Sequence, residues 1–130
     1  MCLKHKGLTV IKTSRPFPRG DAHAIGYKVL QRGDEGLSTY GGIHRHLITR
    51  DWEYSLTPER WSRSYDYPCG FHVFLTKEDA GAYRAGESSS LVSYEVVKVE
   101  CRGILAMGLQ DGCFLEDAPA FVCREIRLAE

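Results

Sequence analysis

The sequence predicts an α+β fold in which a mainly antiparallel sheet of about seven strands carries one short helix. Its 130 residues suffice for one domain with one core, at residues 1–130. Short β-prone runs recur along the chain between turn residues, and one segment, at about residues 76–85, carries the signals of a helix. Many short strands with one helix are typical of the α+β class.

The composition excludes several classes of function. The chain is 43% hydrophobic and 26% charged, as in ordinary globular proteins. Its 17 Lys and Arg residues balance 17 Asp and Glu residues, so there is no strong nucleic-acid signal and no attraction to an anionic membrane. No apolar run approaches the roughly 20 residues that span a bilayer, and no signal peptide is visible. Five irregularly spaced cysteines favour reduced thiols. We therefore expect a cytoplasmic protein.

The first half of the chain predicts strands separated by loops. Residues 8–11 form a short β-prone run, and the loop after it contains two prolines and a glycine. Residues 24–31 have the β-branched and aromatic content of a strand, followed by turn residues. Residues 38–68 hold both tryptophans but no sustained period, which indicates short strands joined by loops. Within them, residues 57–61 resemble one helical turn.

The middle of the chain predicts one strand and the helix. In the strand at residues 71–75, alternation places His72 on the face opposite Phe71 and Val73. Thr76 then caps a helix that runs from Lys77 to near Arg84, because Thr-x-x-Asp is a capping-box pattern and Gly86 is a natural stop. Two residues of this helix, Ala80 and Tyr83, share a face that can pack on the sheet.

The last third of the chain predicts further strands at residues 92–101, 104–107, 113–115 and 120–128. In the first of these, the apolar phase changes after Val96. This change indicates either a β-bulge or a strand that passes from a one-sided to a two-sided position in the sheet.

Several short motifs occur in a fixed order: Met1-Cys2-Leu3, the strand Gly26-Tyr27-Lys28-Val29, Gly70-Phe71-His72 with Phe74, and a helix with Ala80. This order resembles a family of short uncharacterised phage and bacterial proteins. The resemblance implies a shared fold and a phage-type accessory role, such as occupying a host protein as a host-defence inhibitor or capturing a small nucleotide signal. It implies no catalytic residues. Residues 41–64 depart from the family pattern, and we expect specific binding there.

Aromatic and arginine residues are interleaved between residues 44 and 72, and these residue types anchor protein interfaces and stack on nucleotides. We therefore predict a surface that binds a protein partner or a small anionic ligand. Its predicted members are Arg45, Trp52, Tyr54, Trp61, Arg63, Tyr65 and His72. The alternative is that these aromatic residues belong to the core.

A metal site is a second alternative. Cys69-x-x-His72 and His44-x-His46 together offer the Cys and His ligands of a tetrahedral zinc site. The other explanation is that these histidines are ordinary surface or hydrogen-bonded residues. We predict no bound metal and no cofactor.

Catalysis is a third alternative. Cys69 and His72 could form a cysteine–histidine pair in a small hydrolase or transferase, and Cys2 could act as an N-terminal thiol if Met1 is removed. A Tyr, His and Glu on separate strands would also fit an ADP-ribosyltransferase-like site, but such residues are common on strands. The sequence therefore favours a non-catalytic binding protein, with a cysteine–histidine enzyme as the alternative.

Overall fold

The computed structural model describes residues 9–10, 23–40, 45–55, 70–86, 91–110 and 118–129. Its elements, in chain order, are β1 (Thr9–Val10), β2 (His23–Gly33), β3 (Gly36–Ser38), β4 (Glu53–Tyr54), β5 (Phe71–Phe74), α1 (Lys77–Gly86), β6 (Ser93–Gln110) and β7 (Ala118–Leu128). The strand pairings among the described residues are antiparallel. The predicted α+β class, a mainly antiparallel sheet with one short helix, is confirmed.

The long strand β6 organises the sheet. Its residues 93–102 pair with residues 23–32 of β2, and its residues 99–110 pair with residues 118–128 of β7. Around residues 99–102, β6 therefore has β2 on one side and β7 on the other.

Strand β5 closes these pairings into a ring. It pairs with β7 along its whole length and meets β2 where Phe74 lies opposite Tyr27. The strands β2, β6, β7 and β5 thus form a closed cycle, which β1, β3 and β4 extend as short neighbours of β6, β2 and β7.

The division of β6 into two strands was wrong. The chain continues as one strand through Gly103, which adopts a φ of 69° that residues with a Cβ rarely adopt. This part of the sheet therefore has one strand fewer than predicted. The pairing register with β2 is continuous past Val96, and the irregularity lies between Ile104 and Ala106. The apolar phase changes after Val96 because the outer face of β6 is covered at Tyr94 and Val96, whereas the inner face is covered from Val97 onward.

Two hydrophobic clusters cover these two faces. The outer cluster lies between the sheet and α1, and the inner cluster lies inside the ring. The buried members of the outer cluster are Val29, Phe74, Ala80, Leu105, Ala106, Ala118, Ala120 and Val122. Those of the inner cluster are Leu30, Leu37, Ile48, Phe71, Val73, Val99, Cys101, Phe121, Cys123 and Ile126.

Helix α1 has the cap and the packing face that the sequence predicts. Thr76 Oγ1 accepts a hydrogen bond of 3.2 Å from the backbone N–H of Asp79, which satisfies one of the first N–H groups of the helix. Ala80 is fully buried, and the Tyr83 ring lies 5.4 Å from the Phe74 ring. Burial of this face holds a helix whose sequence has little intrinsic stability.

Strands β2 and β5 approach each other closely at Gly26. A Cβ on Gly26 would lie 2.4 Å from Val73 Cγ1 and 2.7 Å from the carbonyl oxygen of Phe74. Only glycine fits at this point of the ring. Within the described ranges, no helix has the length and apolar character needed to cross a membrane.

Candidate functional site

The outer face of β6 is covered at one end and open at the other. Alternate side chains of a strand share a face, and Tyr94 and Val96 pack against the outer cluster beneath α1. The same face continues through Lys98, Glu100 and Arg102, which lie outside that cluster. An open strip of sheet therefore extends beyond the helix.

Strand register builds two rows of side chains on this strip. In the first row, Glu100 lies between Ile25 of β2 and Arg127 of β7. Trp52 belongs to the same row, because the next residue, Glu53, pairs with Ile126, the neighbour of Arg127. In the second row, Glu125 of β7 lies between Arg102 of β6 and Tyr54 of β4. We name this set the Trp52 surface; its members are Ile25, Trp52, Tyr54, Glu100, Arg102, Glu125 and Arg127.

Each arginine of the Trp52 surface is fixed by a carboxylate. Arg102 donates from Nε to Glu125 Oε2 at 2.9 Å and from Nη2 to Oε1 at 2.8 Å. Arg127 donates from Nε to Glu100 Oε2 at 3.0 Å, and its Nη2 lies 2.9 Å from the same oxygen. The Nε–Nη2 edge of both guanidinium groups is therefore occupied.

Both guanidinium groups also contact an aromatic ring. The guanidinium carbon of Arg102 lies 4.1 Å from the centre of the Trp52 ring, and that of Arg127 lies 4.4 Å from it. The guanidinium carbon of Arg124 lies 5.7 Å from the centre of the Tyr54 ring. These are cation–π distances, so the charged and aromatic groups hold one another in place.

The electrostatics of Glu125 follow from its pairing. Burial alone would raise the pKa of this carboxyl, but the hydrogen bonds and charge of Arg102 outweigh burial and lower the pKa. The hydrogen bonds that Arg102 donates to Glu125 in turn raise the pKa of Arg102. Both groups are therefore charged at neutral pH, and the second row is permanently ionic.

The structure brings two of the predicted binding residues together and separates others from them. Trp52 and Tyr54 lie on the Trp52 surface, whereas Arg45 donates from Nε to Ser38 Oγ at 3.0 Å, beside β3. Residues Trp61, Arg63 and Tyr65 lie outside the described residues.

The sequence analysis missed the arginines Arg102, Arg124 and Arg127. A signal was present, because Glu and Arg alternate in Glu100-Cys101-Arg102 and in Glu125-Ile126-Arg127. Two such charged faces on neighbouring strands indicate cross-strand ion pairs.

His72 lies on β5 opposite Val122, on the face away from Phe71 and Val73. Burial, together with the positive charge of Lys28, lowers the pKa of its imidazole to about 3. The ring is therefore neutral at physiological pH, and such low basicity is poorly suited to a general base. Its proposed partner in catalysis, Cys69, lies outside the described residues.

The strands that carry His72 and Trp52 pair with different parts of β7. Strand β5 pairs with β7 at residues 120–123, whereas β4 pairs with it at residues 125–126. The described pairings therefore do not bring the imidazole into the two rows of the Trp52 surface.

The structure describes two of the four predicted metal ligands, His46 and His72, and does not bring these two together. The His46 ring packs edge-on against Phe71 at 5.0 Å, and its Nδ1 lies 3.3 Å from Glu53 Oε1. His46 therefore contacts the face of β5 opposite His72. The other two ligands, Cys69 and His44, lie outside the described residues. Among the residues that are described, no three His, Cys, Asp or Glu side chains form a group that could hold a metal ion.

Lys28 is a buried lysine of β2. The sequence predicted it as a strand residue and assigned it no function. Its side chain lies inside the ring, on the face of Leu30, and the residue is 7% exposed. Its Nζ donates to the carbonyl oxygen of His72 at 2.6 Å. Burial lowers the pKa of this amine to about 8, and the nearby thiols of Cys123 and Cys101 partly oppose that shift. The amine thus ties β2 to β5.

Comparison of the chain with protein-family models, curated proteins and solved structures found no match.

Proposed function

We propose that the protein is non-catalytic and acts by binding a protein partner through the Trp52 surface. The observation that carries this proposal is the arrangement of Arg102 and Arg127. Each guanidinium lies against the Trp52 ring while a carboxylate occupies its Nε–Nη2 edge. Tyr, Trp and Arg side chains that are held rigidly on a surface commonly serve as anchors in protein interfaces.

The same arrangement favours a protein over a nucleotide. Arginine recognises phosphate best through two parallel N–H donors, which form a fork. In both arginines glutamate already engages one such fork, the Nε–Nη2 edge. A protein partner needs no such fork, because it can pack on Tyr54, Trp52 and Ile25 and meet the charges at the rim.

The resemblance to phage and bacterial proteins supports a more specific form of the proposal. In this form the protein is a cytoplasmic accessory factor, and its partner is a host protein whose activity it blocks. The strip lies on the outer face of the sheet, where Ile25 and Tyr54 are each 49% exposed, and so it suits a partner surface better than a small ligand, which usually occupies a concave pocket.

Affinity capture with matched variants tests this function. Tyr54 is 49% exposed on the Trp52 surface, and Leu75, which follows β5, is 45% exposed and serves as the control. Wild-type protein, Tyr54→Ala and Leu75→Ala are immobilised and incubated with lysate of the source cell, and retained proteins are quantified by mass spectrometry. We expect at least one protein that the wild type and Leu75→Ala retain and that Tyr54→Ala loses.

Two outcomes would contradict the proposal. One is that no retained protein depends on Tyr54. The other is that the purified wild type releases a stoichiometric nucleotide on denaturation and that Tyr54→Ala does not, which would favour a nucleotide-binding protein.

A further inference from the structure

The charges on and beside the Trp52 surface are unequally exposed. The side chain of Glu125 is 4% exposed and that of its partner Arg102 is 24% exposed. The side chain of Glu100 is 22% exposed and that of Arg127 is 35% exposed. In both pairs the carboxylate lies deeper than the guanidinium, so a partner would meet mainly the cationic groups.

Neighbouring residues increase this positive character. Lys98 continues the same face of β6 and is exposed, and Arg124 lies beside the Tyr54 ring. Arg50 and Asp51, which precede Trp52, add one formal charge of each sign. The strip therefore carries four cationic side chains against two carboxylates, although the whole chain has a formal net charge of zero.

We infer that the partner presents an acidic protein surface, with carboxylates placed around an apolar centre that packs on Tyr54 and Ile25. This inference rests on the proposed function and adds the chemistry of the partner to it. Electrostatic complementarity of this kind accelerates association and excludes partners of the wrong charge. The inference is supported by the local excess of positive charge around Tyr54 and Ile25.

The geometry also sets the size of the contact. Ile25 and Tyr54 lie on the outer two of four adjacent strands, β2, β6, β7 and β4. Neighbouring strands are about 4.8 Å apart, so these two apolar groups are separated by roughly 15 Å across the sheet. A folded surface spans that distance more readily than one extended peptide, which follows a single strand direction.

Polyelectrolyte probes and one pair of matched variants test the inference. Arg127→Gln removes the most exposed of the four paired charges. Arg32→Gln is the control, because Arg32 also pairs across strands with a glutamate, Glu95, but on the opposite face of β6. Isotope-labelled wild type and variants are titrated by NMR with poly-L-glutamate, poly-L-lysine and oligothymidylate.

We expect poly-L-glutamate to shift the amide signals of the Trp52 surface and poly-L-lysine to leave them unchanged. Arg127→Gln should weaken the poly-L-glutamate interaction about threefold and Arg32→Gln should not. The interaction should also weaken as salt rises above about 0.15 M, where charges on the surface are increasingly screened.

Three results would overturn the inference. If oligothymidylate shifts the same amide signals and binds more tightly than poly-L-glutamate, the ligand carries phosphate. Absence of any poly-L-glutamate effect, while Tyr54-dependent capture of a protein persists, would remove the acidic partner and leave the proposed function standing. Loss of both effects would refute the proposed function together with the inference.

Discussion

Lys28 places a primary amine inside the ring formed by β2, β6, β7 and β5. Water is largely excluded there, and the amine donates a hydrogen bond to the carbonyl oxygen of His72. Removal from water disfavours the charged form of the amine, which is why its pKa falls to about 8. The free-energy cost of burying this amine therefore depends on pH.

The contribution of Lys28 to the stability of the protein should rise in alkaline solution. Its pKa is about 8 in the folded chain against an ordinary value of 10.5, so at this residue the unfolded chain binds more protons between these values. Lys28 should add about 3 kcal/mol to the free energy of unfolding from pH 8 to pH 10.5, whereas the Cys123 thiol, whose pKa burial raises, acts in the opposite direction. Urea denaturation at several pH values measures it. In Lys28→Met this increase should disappear, whereas Lys98→Met, which alters an exposed lysine, should retain it. An increase of equal size in Lys28→Met would show that another group is responsible.

At the scale of residues, the sequence predicted part of the candidate site. Trp52 and Tyr54 stand out because bulky aromatic residues in an irregular segment are candidate anchors whatever the fold. Arg102 and Arg127 could not be chosen in the same way, because their role depends on the register between β6 and β7. The alternation of Glu and Arg marks both residues as candidates for cross-strand ion pairs, but it does not say which residues of the two strands lie opposite each other.

At the scale of elements, α1 was predicted because its signals are local. The cap at Thr76, the acidic first turn and the glycine at the end all lie within the helix or next to it. Strand β6 was divided in the prediction because Gly103 is a turn residue by composition. In the fold Gly103 adopts a positive φ within the strand without ending it, since pairing with β7 continues on both sides.

Loss of the cap should destabilise the protein. Thr76→Ala removes the oxygen that accepts the N–H of Asp79, and a lost cap of this kind costs about 1 kcal/mol. Thermal and urea denaturation of the variant measure the cost. Thr76→Ser keeps the hydroxyl group and should retain most of the wild-type stability. Equal losses in both variants would contradict the role of the hydroxyl group.

At the scale of the whole molecule, closure of the ring depends on the contact at Gly26. Gly26→Ala would place a methyl group within 2.4 Å of Val73 Cγ1 and within 2.7 Å of the Phe74 carbonyl oxygen. Because backbone cannot yield as a flexible side chain does, we expect a loss of about 3 kcal/mol in the free energy of unfolding.

Gly33→Ala provides the matched control for this prediction in the same strand. Its methyl group would lie 3.6 Å from Arg45 Nη2, which is an ordinary contact. The loss in the free energy of unfolding should therefore be only about 0.5 kcal/mol. Urea denaturation of the two variants decides the matter. Similar stability in both would mean that β2 and β5 can separate at little cost.

The shared strand β6 has a consequence for the order of folding. Its pairing with β7 joins segments that are neighbours in the chain, whereas its pairing with β2 joins segments separated by roughly seventy residues. Closing the longer loop costs more chain entropy before any contact compensates for it. We therefore expect the β6–β7 hairpin to form in the transition state and β2 to dock after it. Substitutions such as Val122→Ala would then slow refolding, while Leu30→Ala would mainly speed unfolding.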